Sequence, residues 1–354
     1  FCPNGYGRER IDDSGPFHPS YPEGCYTNPF ARSMVWGIDA GWAVGYEGPV
    51  VDLPLGRYTL TASIAEPYTD LFDIDPTRST ATVAVRVKRG TRDCEECPRP
   101  RRRTQGRRAT AAVPVVTAPD PATLPDLYAL PSWGISVENR RVRSFLNFGA
   151  TIGVGGASSL VVEGFRREAE DVMDAFQYFY EEGQIVGKAE VGTLGFDPRR
   201  RHEHWHFLQF TRYSLLDATQ QETVASKKEA FCLAPTDAID LALEGAVWNP
   251  GAIGLYSACG GPSSLWVRET LPLGWGDTYF QGIPGQSFNI TTLPNGTYFI
   301  RVEANPAGLL FEQSTDNNSE LREIRIKGSE GARRVVVPLW NGIDTESGLG
   351  EGRG

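Results

Sequence analysis

Two features are scarce in this chain of 354 residues: histidine, which occurs four times, and long apolar runs, which do not occur. A membrane-spanning helix needs roughly 18 consecutive apolar residues, so we expect no transmembrane segment. The chain starts at Phe1-Cys2-Pro3, without a methionine or a signal-like stretch. We therefore expect a mature N-terminus left by processing, and a secreted protein that is extracellular or at the cell surface. Sequons at Asn289, Asn295 and Asn317 add the expectation of a glycoprotein if the source is eukaryotic.

Cysteine is also sparse, and six residues fit an oxidising compartment. A Cys-x-x-Cys motif can be a redox or zinc motif, but the one at Cys94 and Cys97 stands among arginines and prolines, which favours a local disulfide. We predict that the cysteines pair in sequence order: Cys2–Cys25, Cys94–Cys97 and Cys232–Cys259.

Glycine and proline are abundant, with 39 and 25 residues that separate strand-like runs. This pattern is typical of an all-β protein, and the length suggests two domains. An aromatic cluster at Met173–Tyr180 suits packing in a sheet, although helix formers just before it leave a helix open. We predict a smaller β-domain at residues 1–88, a basic proline-rich linker at 89–122, a β-sandwich at 123–328, and a strand with a flexible tail at 329–354.

The first 88 residues contain an apparent partial repeat of the later domain. Leu53-Pro54-Leu55-Gly56-Arg57-Tyr58 parallels Leu293-Pro294-Asn295-Gly296-Thr297-Tyr298, and a strand-like run that ends in lysine follows each copy. The alternative is a chance match, because this motif suits the entry to any hairpin. The first copy has no histidine strand, so we expect it to be catalytically silent.

Three of the four histidines lie within five residues, at His202, His204 and His206. Neutral imidazole is a common ligand of transition metals, so this spacing predicts one ion bound by all three. On a β-strand the three rings share one face, while Glu203 and Trp205 point to the other. On a helix, His202-Glu203-x-x-His206 would instead be the zinc-protease signature. We favour the strand because the helix leaves His204 unused. A third alternative is a solvated strand that binds no metal.

Several ordered motifs resemble those of the lysyl oxidase family, particularly its bacterial-type members. The resemblance extends from about Leu124 to Lys327 and rests on the histidine strand together with four further segments. These segments are Leu124-Pro125-Asp126-Leu127, Tyr213-Ser214-Leu215-Leu216-Asp217, Lys227-Lys228-Glu229-Ala230-Phe231-Cys232-Leu233 and Gly274-Trp275-Gly276-Asp277-Thr278-Tyr279.

The resemblance implies a copper amine oxidase. It implies Cu(II) on His202, His204 and His206, and a lysine tyrosylquinone cofactor formed from Lys228 and Tyr279. It further implies oxidative deamination of primary amines to aldehyde, ammonia and hydrogen peroxide. The implied substrates are lysine-rich extracellular or cell-wall proteins, or small primary amines.

One departure from the family concerns the catalytic base. Animal members carry another histidine after the copper strand, where this chain has Thr211 and Arg212. A carboxylate such as Asp217, Asp277 or Glu203 would have to serve instead. A structural or adhesive extracellular protein with this fold and little turnover is therefore an alternative, and a zinc peptidase built on the helical signature is another.

The charge distribution suggests which partners the chain meets. The run from Arg86 to Arg108 holds ten lysines and arginines against three acidic residues, although the chain as a whole carries a net charge of −9. Such a basic run could contact polyanions such as acidic glycans, whereas a nucleic-acid role does not suit a secreted protein. The acidic remainder would attract lysine-rich proteins.

Overall fold

The structure is a computed structural model that describes residues 4, 7–45, 53–88, 113–116, 118–168, 170–181, 183–199, 203–225, 230–280 and 287–347. These residues form twenty strands, one short helix (α1, Tyr68–Leu71) and two 3-10 turns, at Pro121–Thr123 and Pro250–Ile253. The all-β prediction is thus confirmed. No helix in the described part of the chain has the length and apolar character needed to cross a membrane.

The strands alternate with short turns along the described chain. In chain order they are β1 (Glu9–Arg10), β2 (Trp42–Ala43), β3 (Gly56–Ser63), β4 (Thr80–Val87), β5 (Pro125–Ala129), β6 (Trp133–Arg140), β7 (Arg143–Gly156), β8 (Leu160–Arg166), β9 (Val172–Glu181), β10 (Gln184–Asp197), β11 (His204–Phe207), β12 (Thr211–Leu216), β13 (Glu222–Ala225), β14 (Asp237–Ala238), β15 (Trp266–Leu271), β16 (Trp275–Phe280), β17 (Phe288–Asn289), β18 (Gly296–Ala304), β19 (Ser319–Ser329) and β20 (Ala332–Val336).

Three sheets surround the main core. The first has the order β11-β10-β9-β8-β15, the second β13-β12-β18-β19-β20, and the third β14-β16-β7-β17, with β5 and β6 also paired to β7. Their inward side chains form one cluster of buried apolar residues, to which nearly every strand of the three sheets contributes. The aromatic cluster predicted for sheet packing lies in β9, so the strand interpretation of that segment is confirmed.

The contacts group the chain into two compact units. One unit joins Phe1–Gly45 to Thr110–Gly354, and the other is Tyr46–Ala109. Within the first unit, the initial segment packs on the later strands through polar contacts: the Asn28 amide donates to the Thr151 hydroxyl (2.9 Å), and the Ser33 hydroxyl donates to Asp240 (2.5 Å). The division into domains at residues 1–88, 89–122, 123–328 and 329–354 stays a prediction.

The structure describes part of the predicted linker and part of the predicted C-terminal strand and tail. Residues 89–112 lie outside the described part, but Val116 donates its amide to the carbonyl of Lys188 on β10 (2.8 Å). The linker's end thus runs beside the first sheet. The predicted C-terminal strand is present as β20, which pairs with β19, and residues 348–354 lie outside the described part.

The two copies of the apparent repeat both form antiparallel hairpins, β3–β4 and β18–β19. In each, the tyrosine hydroxyl donates to the proline carbonyl four residues earlier: Tyr58 to Pro54 at 2.8 Å and Tyr298 to Pro294 at 2.9 Å. Their surroundings differ, because the apolar face of β18 lies in the main core whereas that of β3 is exposed among the described residues. These parallels support the proposal of a partial repeat.

Candidate functional site

The strand β11 carries two of the three clustered histidines. It pairs antiparallel with β10, with His204 opposite Asp197 and His206 opposite Gly195. The two imidazole rings lie on one face with their centroids 4.5 Å apart, and His206 is only 4% exposed. Trp205 and Phe207 point to the other face and are completely buried. The two apolar anchors therefore fix which way the imidazoles face.

The strand interpretation is confirmed for His204–Phe207, and the helical zinc-protease interpretation is wrong. Its signature needs a helical turn between Glu203 and His206, and the backbone here is extended. The third predicted ligand, His202, lies outside the described residues. Within the described ranges, no group of three or more His, Cys, Asp or Glu side chains could hold a metal ion.

The free edge of β11 is closed by two segments that a disulfide joins. Phe207 exchanges backbone hydrogen bonds with Phe231 (2.8 and 3.0 Å), and the amide of Trp205 donates to the carbonyl of Cys259 (2.9 Å). The predicted Cys232–Cys259 disulfide is confirmed and ties these segments together. The histidine strand is thus held on both edges. Cys25 is also disulfide-bonded, but its predicted partner Cys2 and the predicted pair Cys94–Cys97 lie outside the described residues.

Tyr279 reaches the same disulfide-linked segment from β16. Its hydroxyl donates to the carbonyl of Cys232 (2.7 Å), and its ring packs edge-on against Phe231 with centroids 4.7 Å apart. Burial raises the pKa of Tyr279 well above its usual range, and the charge of Asp277 raises it further. The phenol is therefore held neutral and oriented. Lys228 lies outside the described residues, four positions before Cys232 in the sequence.

Two glycines of the segment before Tyr279 explain how β16 lies so close to its neighbours. Gly274 has a φ of +88°, and a Cβ there would lie 2.6 Å from the carbonyl oxygen of Asp240. A Cβ on Gly276 would lie within 3.0 Å of Ile239, Thr151 and the Ile152 carbonyl. Larger residues would push β16 away from β7 and β14, and Tyr279 with it.

A buried carboxyl that the sequence does not predict, Glu269 on β15, contacts the peptide group to which Tyr279 is hydrogen-bonded. Its Oε2 accepts a hydrogen bond from the amide of Leu233 (3.0 Å). The carbonyl of the same peptide group, that of Cys232, accepts the hydrogen bond from the Tyr279 hydroxyl. Glu269 is fully buried, and its Oε1 has no hydrogen-bond partner among the described residues. Burial raises the pKa of Glu269 well above its usual range. The sequence of its strand, Trp266–Leu271, gives no signal of this burial, because Arg268 and Thr270 on either side of it are also polar.

The comparisons with known proteins match this part of the chain. The lysyl oxidase family model matches residues 190–335. This part of the chain is therefore similar to the lysyl oxidase family. Protein-lysine 6-oxidase of Rattus norvegicus is 33% identical over 129 residues, which are 36% of this chain and 28% of that protein. The Sus scrofa enzyme of the same name is also 33% identical, with 45% of its length covered. Human lysyl oxidase homolog 1 is 30% identical over 138 residues, which are 36% of this chain and 21% of its own length. The chain thus matches less than half the length of each of these relatives.

Within the matched residues 190–335, the three carboxylates predicted as candidate bases differ in their surroundings. Asp217 lies just after β12, where it accepts hydrogen bonds from Thr219 and Gln221 that hold its pKa below the usual range. Glu203 is exposed. Asp277 is 2% exposed and lies two residues before Tyr279 on β16, so both side chains share one face. The structure therefore brings Asp277 to the tyrosine and leaves Asp217 in a turn.

Proposed function

We propose that this chain is a copper- and quinone-dependent amine oxidase that deaminates primary amines, with the lysine side chains of proteins as the favoured substrates. In the overall reaction, a primary amine, O2 and water give an aldehyde, ammonia and hydrogen peroxide, and two electrons pass from the amine to O2. The names of the relatives, protein-lysine 6-oxidase, support the choice of a lysyl substrate.

A single arrangement carries the proposal. The backbone of β11, with His204 and His206, bonds directly to Phe231, and the next residue, Cys232, accepts the hydroxyl of Tyr279. The clustered imidazoles and the predicted cofactor tyrosine are therefore linked through two consecutive residues, inside a lysyl oxidase domain. A purely structural β-protein has no need of clustered imidazoles and an oriented phenol on the same two-residue segment.

The residues present fit a copper ion. Imidazole nitrogen is a ligand type that Cu(II) prefers, and His204 and His206 offer two rings on one face of a strand. His202 would supply the third. Bound Cu(II), together with the quinone derived from Lys228 and Tyr279, would supply the transfer of electrons from the amine to O2.

The chain's own residues would hold the reacting groups and move protons. The Cys232 carbonyl and the ring of Phe231 fix the direction of the Tyr279 phenol. Asp277 lies on the same face of β16 and would accept a proton near that ring. Glu269 would steady the Cys232–Leu233 peptide from the other side. The buried apolar residues of the main core pack against Tyr279 and would keep water away from its ring.

The test is peroxide release from n-butylamine and from a lysine-containing peptide by copper-loaded protein. We expect turnover in the wild type and its loss in His204→Ala and Tyr279→Phe. His18→Ala is the matched control for the first variant, because His18 is the only histidine outside the cluster, and Tyr68→Phe controls for the second, because Tyr68 is 54% exposed. Turnover that survives in Tyr279→Phe would refute the proposal.

We further propose that the protein acts outside the cell, on lysine-rich extracellular or cell-wall proteins. The net charge of −9 supports attraction to such basic partners, and the disulfide Cys232–Cys259 suits an oxidising compartment. Peroxide release from a basic protein such as a lysine-rich elastin-like polypeptide should fall as salt rises, since screening weakens long-range attraction. A rate independent of salt would argue against this choice of partner.

A further inference from the structure

A cavity of about 350 Å³ lies between the N-terminal segment and the 3-10 turn Pro250–Ile253, which belong to the same compact unit. Among the side chains that line it are those of Arg8, Glu23, Trp42 and Asn249, and we call it the Trp42 cavity. None of its described lining residues belongs to the candidate amine-oxidase site. The first three of these side chains also precede the matched residues 190–335, so the cavity depends on a part of the chain outside that match.

The indole of Trp42 is fixed at one wall of the cavity. Trp42 lies on β2, opposite Arg10 of β1, and its Nε1 donates to the carbonyl of Pro16 (2.9 Å). The side chain is partly exposed, so its ring can contact a ligand. An aromatic ring that is already held in place gives a ligand a flat apolar surface at little cost in conformational entropy.

The guanidinium of Arg8 is held by carbonyl groups rather than by a carboxylate. Its Nη1 donates to the carbonyls of Tyr21 (2.7 Å) and Pro22 (3.2 Å). Arg10, two residues later, is instead paired with Asp13 (2.6 Å). Within the part of the chain that the structure describes, Arg8 has no carboxylate partner, and its Nε and Nη2 groups have no acceptor. Arg8 is therefore oriented and keeps donors for a ligand.

The two sides of the cavity are joined to each other. Asn249 donates its side-chain amide to the carbonyl of Pro19 (2.7 Å), and its Oδ1 accepts from the amide of Ala252 (3.3 Å). Close by, the rings of Tyr21 and Trp248 stack with their centroids 5.5 Å apart. These contacts tie the N-terminal segment to the turn, so the cavity exists before any ligand binds.

The charges of the lining select against an ion. Arg8 and Glu23 are the only lysine, arginine, aspartate or glutamate residues among the described lining residues, and their charges are opposite. A carboxylate ligand would meet the like charge of Glu23, and an ammonium ligand would meet that of Arg8. Hydroxyl groups suit both, because they donate to a carboxylate and accept from a guanidinium in charge-assisted hydrogen bonds. The lining therefore favours a neutral ligand with several hydroxyls and one apolar face.

We propose that the Trp42 cavity binds a neutral pyranose, as one sugar unit of a glycan. Glu23 would accept hydrogen bonds from neighbouring hydroxyls, Arg8 would donate to a hydroxyl oxygen, and the ring of Trp42 would cover the C–H face of the sugar. The volume falls within the range of small-ligand sites. A glycan held here would attach the protein to a polysaccharide through residues other than those that bind copper and the amine.

Titration calorimetry on the wild type tests the proposal, with the methyl pyranosides of glucose, galactose, mannose and N-acetylglucosamine as probes. None of these contains an amine, so amine oxidation cannot consume them. Cyclohexanol is the control ligand, because it is a six-membered ring with a single hydroxyl. We expect saturable binding of at least one pyranoside, and binding of cyclohexanol that is weaker by roughly tenfold or more, since charge-assisted hydrogen bonds are lost.

Two substitutions locate the binding. Glu23→Ala and Trp42→Ala should each weaken binding of that pyranoside by about tenfold, because one loses the acceptor and the other the aromatic surface. The matched controls are Glu9→Ala and Trp36→Ala, at exposed positions outside the lining, and they should leave binding unchanged. Thermal unfolding shows whether each variant folds. Glu23 is the safer of the two positions, since its side chain is exposed and has no hydrogen-bond partner among the described residues.

Three results would overturn the assignment. The first is no saturable binding of any of these pyranosides, and the second is binding that stays unchanged in both folded variants. The third is tighter binding of methyl glucuronide or of choline than of every neutral pyranoside, because the cavity would then select a charge. Peroxide release from amines does not enter these measurements, so failure of the proposed oxidase activity would leave the result on this cavity standing.

Discussion

Replacing Glu269 tests how the buried carboxyl supports Tyr279. In Glu269→Ala, the amide of Leu233 loses its acceptor inside the core. An unsatisfied buried donor costs about 1–3 kcal/mol, and each buried CH2 that is removed costs about 0.8 kcal/mol. We therefore expect unfolding free energy to fall by about 3 kcal/mol. In Glu269→Gln the side-chain carbonyl can still accept from Leu233, so we expect a loss below about 1 kcal/mol at pH 5.

The stability difference between wild type and Glu269→Gln should depend on pH. The pKa of Glu269 is raised in the folded protein, mainly by burial. The unfolded carboxyl ionises first as pH rises, so the wild type loses stability above the ordinary glutamate pKa of 4.5 until the folded group also ionises. Glutamine does not titrate and keeps the stability of the neutral form. The stability of Glu269→Gln relative to wild type should therefore improve from pH 5 to pH 8.

Urea unfolding followed by tryptophan fluorescence at both pH values measures these differences. Glu244→Gln is the matched control at an exposed position and should leave stability unchanged at each pH. Equal stability of Glu269→Ala and wild type would refute the role of the Leu233 hydrogen bond. A constant difference between Glu269→Gln and wild type from pH 5 to pH 8 would refute the assignment of a raised pKa.

Three further perturbations test other parts of the structure. The double variant Cys232→Ser/Cys259→Ser should be less stable by about 3 kcal/mol, because the disulfide is lost. Titration should also show weaker Cu(II) binding, because the two segments bonded to the edge of the histidine strand are no longer joined to each other. Unchanged copper affinity would contradict this expectation. Ile300→Ala, at a fully buried position of β18, should lower the free energy of unfolding by about 2–5 kcal/mol. Leu60→Ala, at the matching position of β3 and 59% exposed, should change it by less than about 0.5 kcal/mol. Equal losses of stability in urea unfolding would contradict the observed difference in burial. Asn28→Ala should speed limited proteolysis within residues 7–45, because the amide that holds this segment to the later domain is lost, and an unchanged cleavage rate would show that these hydrogen bonds do not anchor it.

The histidine strand could be predicted because its pattern is local. Imidazoles at every second position, with Trp205 and Phe207 between them, show the period of a strand in the sequence itself. The Cys232–Cys259 pair could also be predicted, since neighbours in sequence order flank the same region. These features need no knowledge of distant contacts.

Other features could not be predicted because they depend on long-range packing. Asn28 meets Asp237 across 209 positions, and no pattern in either segment indicates this contact. Glu269 is one carboxyl among many in the sequence, and only the packing of β15 against Leu233 shows that it is buried. Asp217 and Asp277 were equal candidates in the sequence, whereas the fold brings only Asp277 to the face of Tyr279.

The measurement that tests the central claim most directly is peptide mapping by mass spectrometry. The protein would be loaded with Cu(II), exposed to O2, reduced and digested, and the peptides that contain Lys228 and Tyr279 would be sought. We predict one covalently joined species, which should be missing from His204→Ala and present in His18→Ala. Recovery of the two peptides unlinked from copper-loaded wild type would contradict the assignment of an amine oxidase.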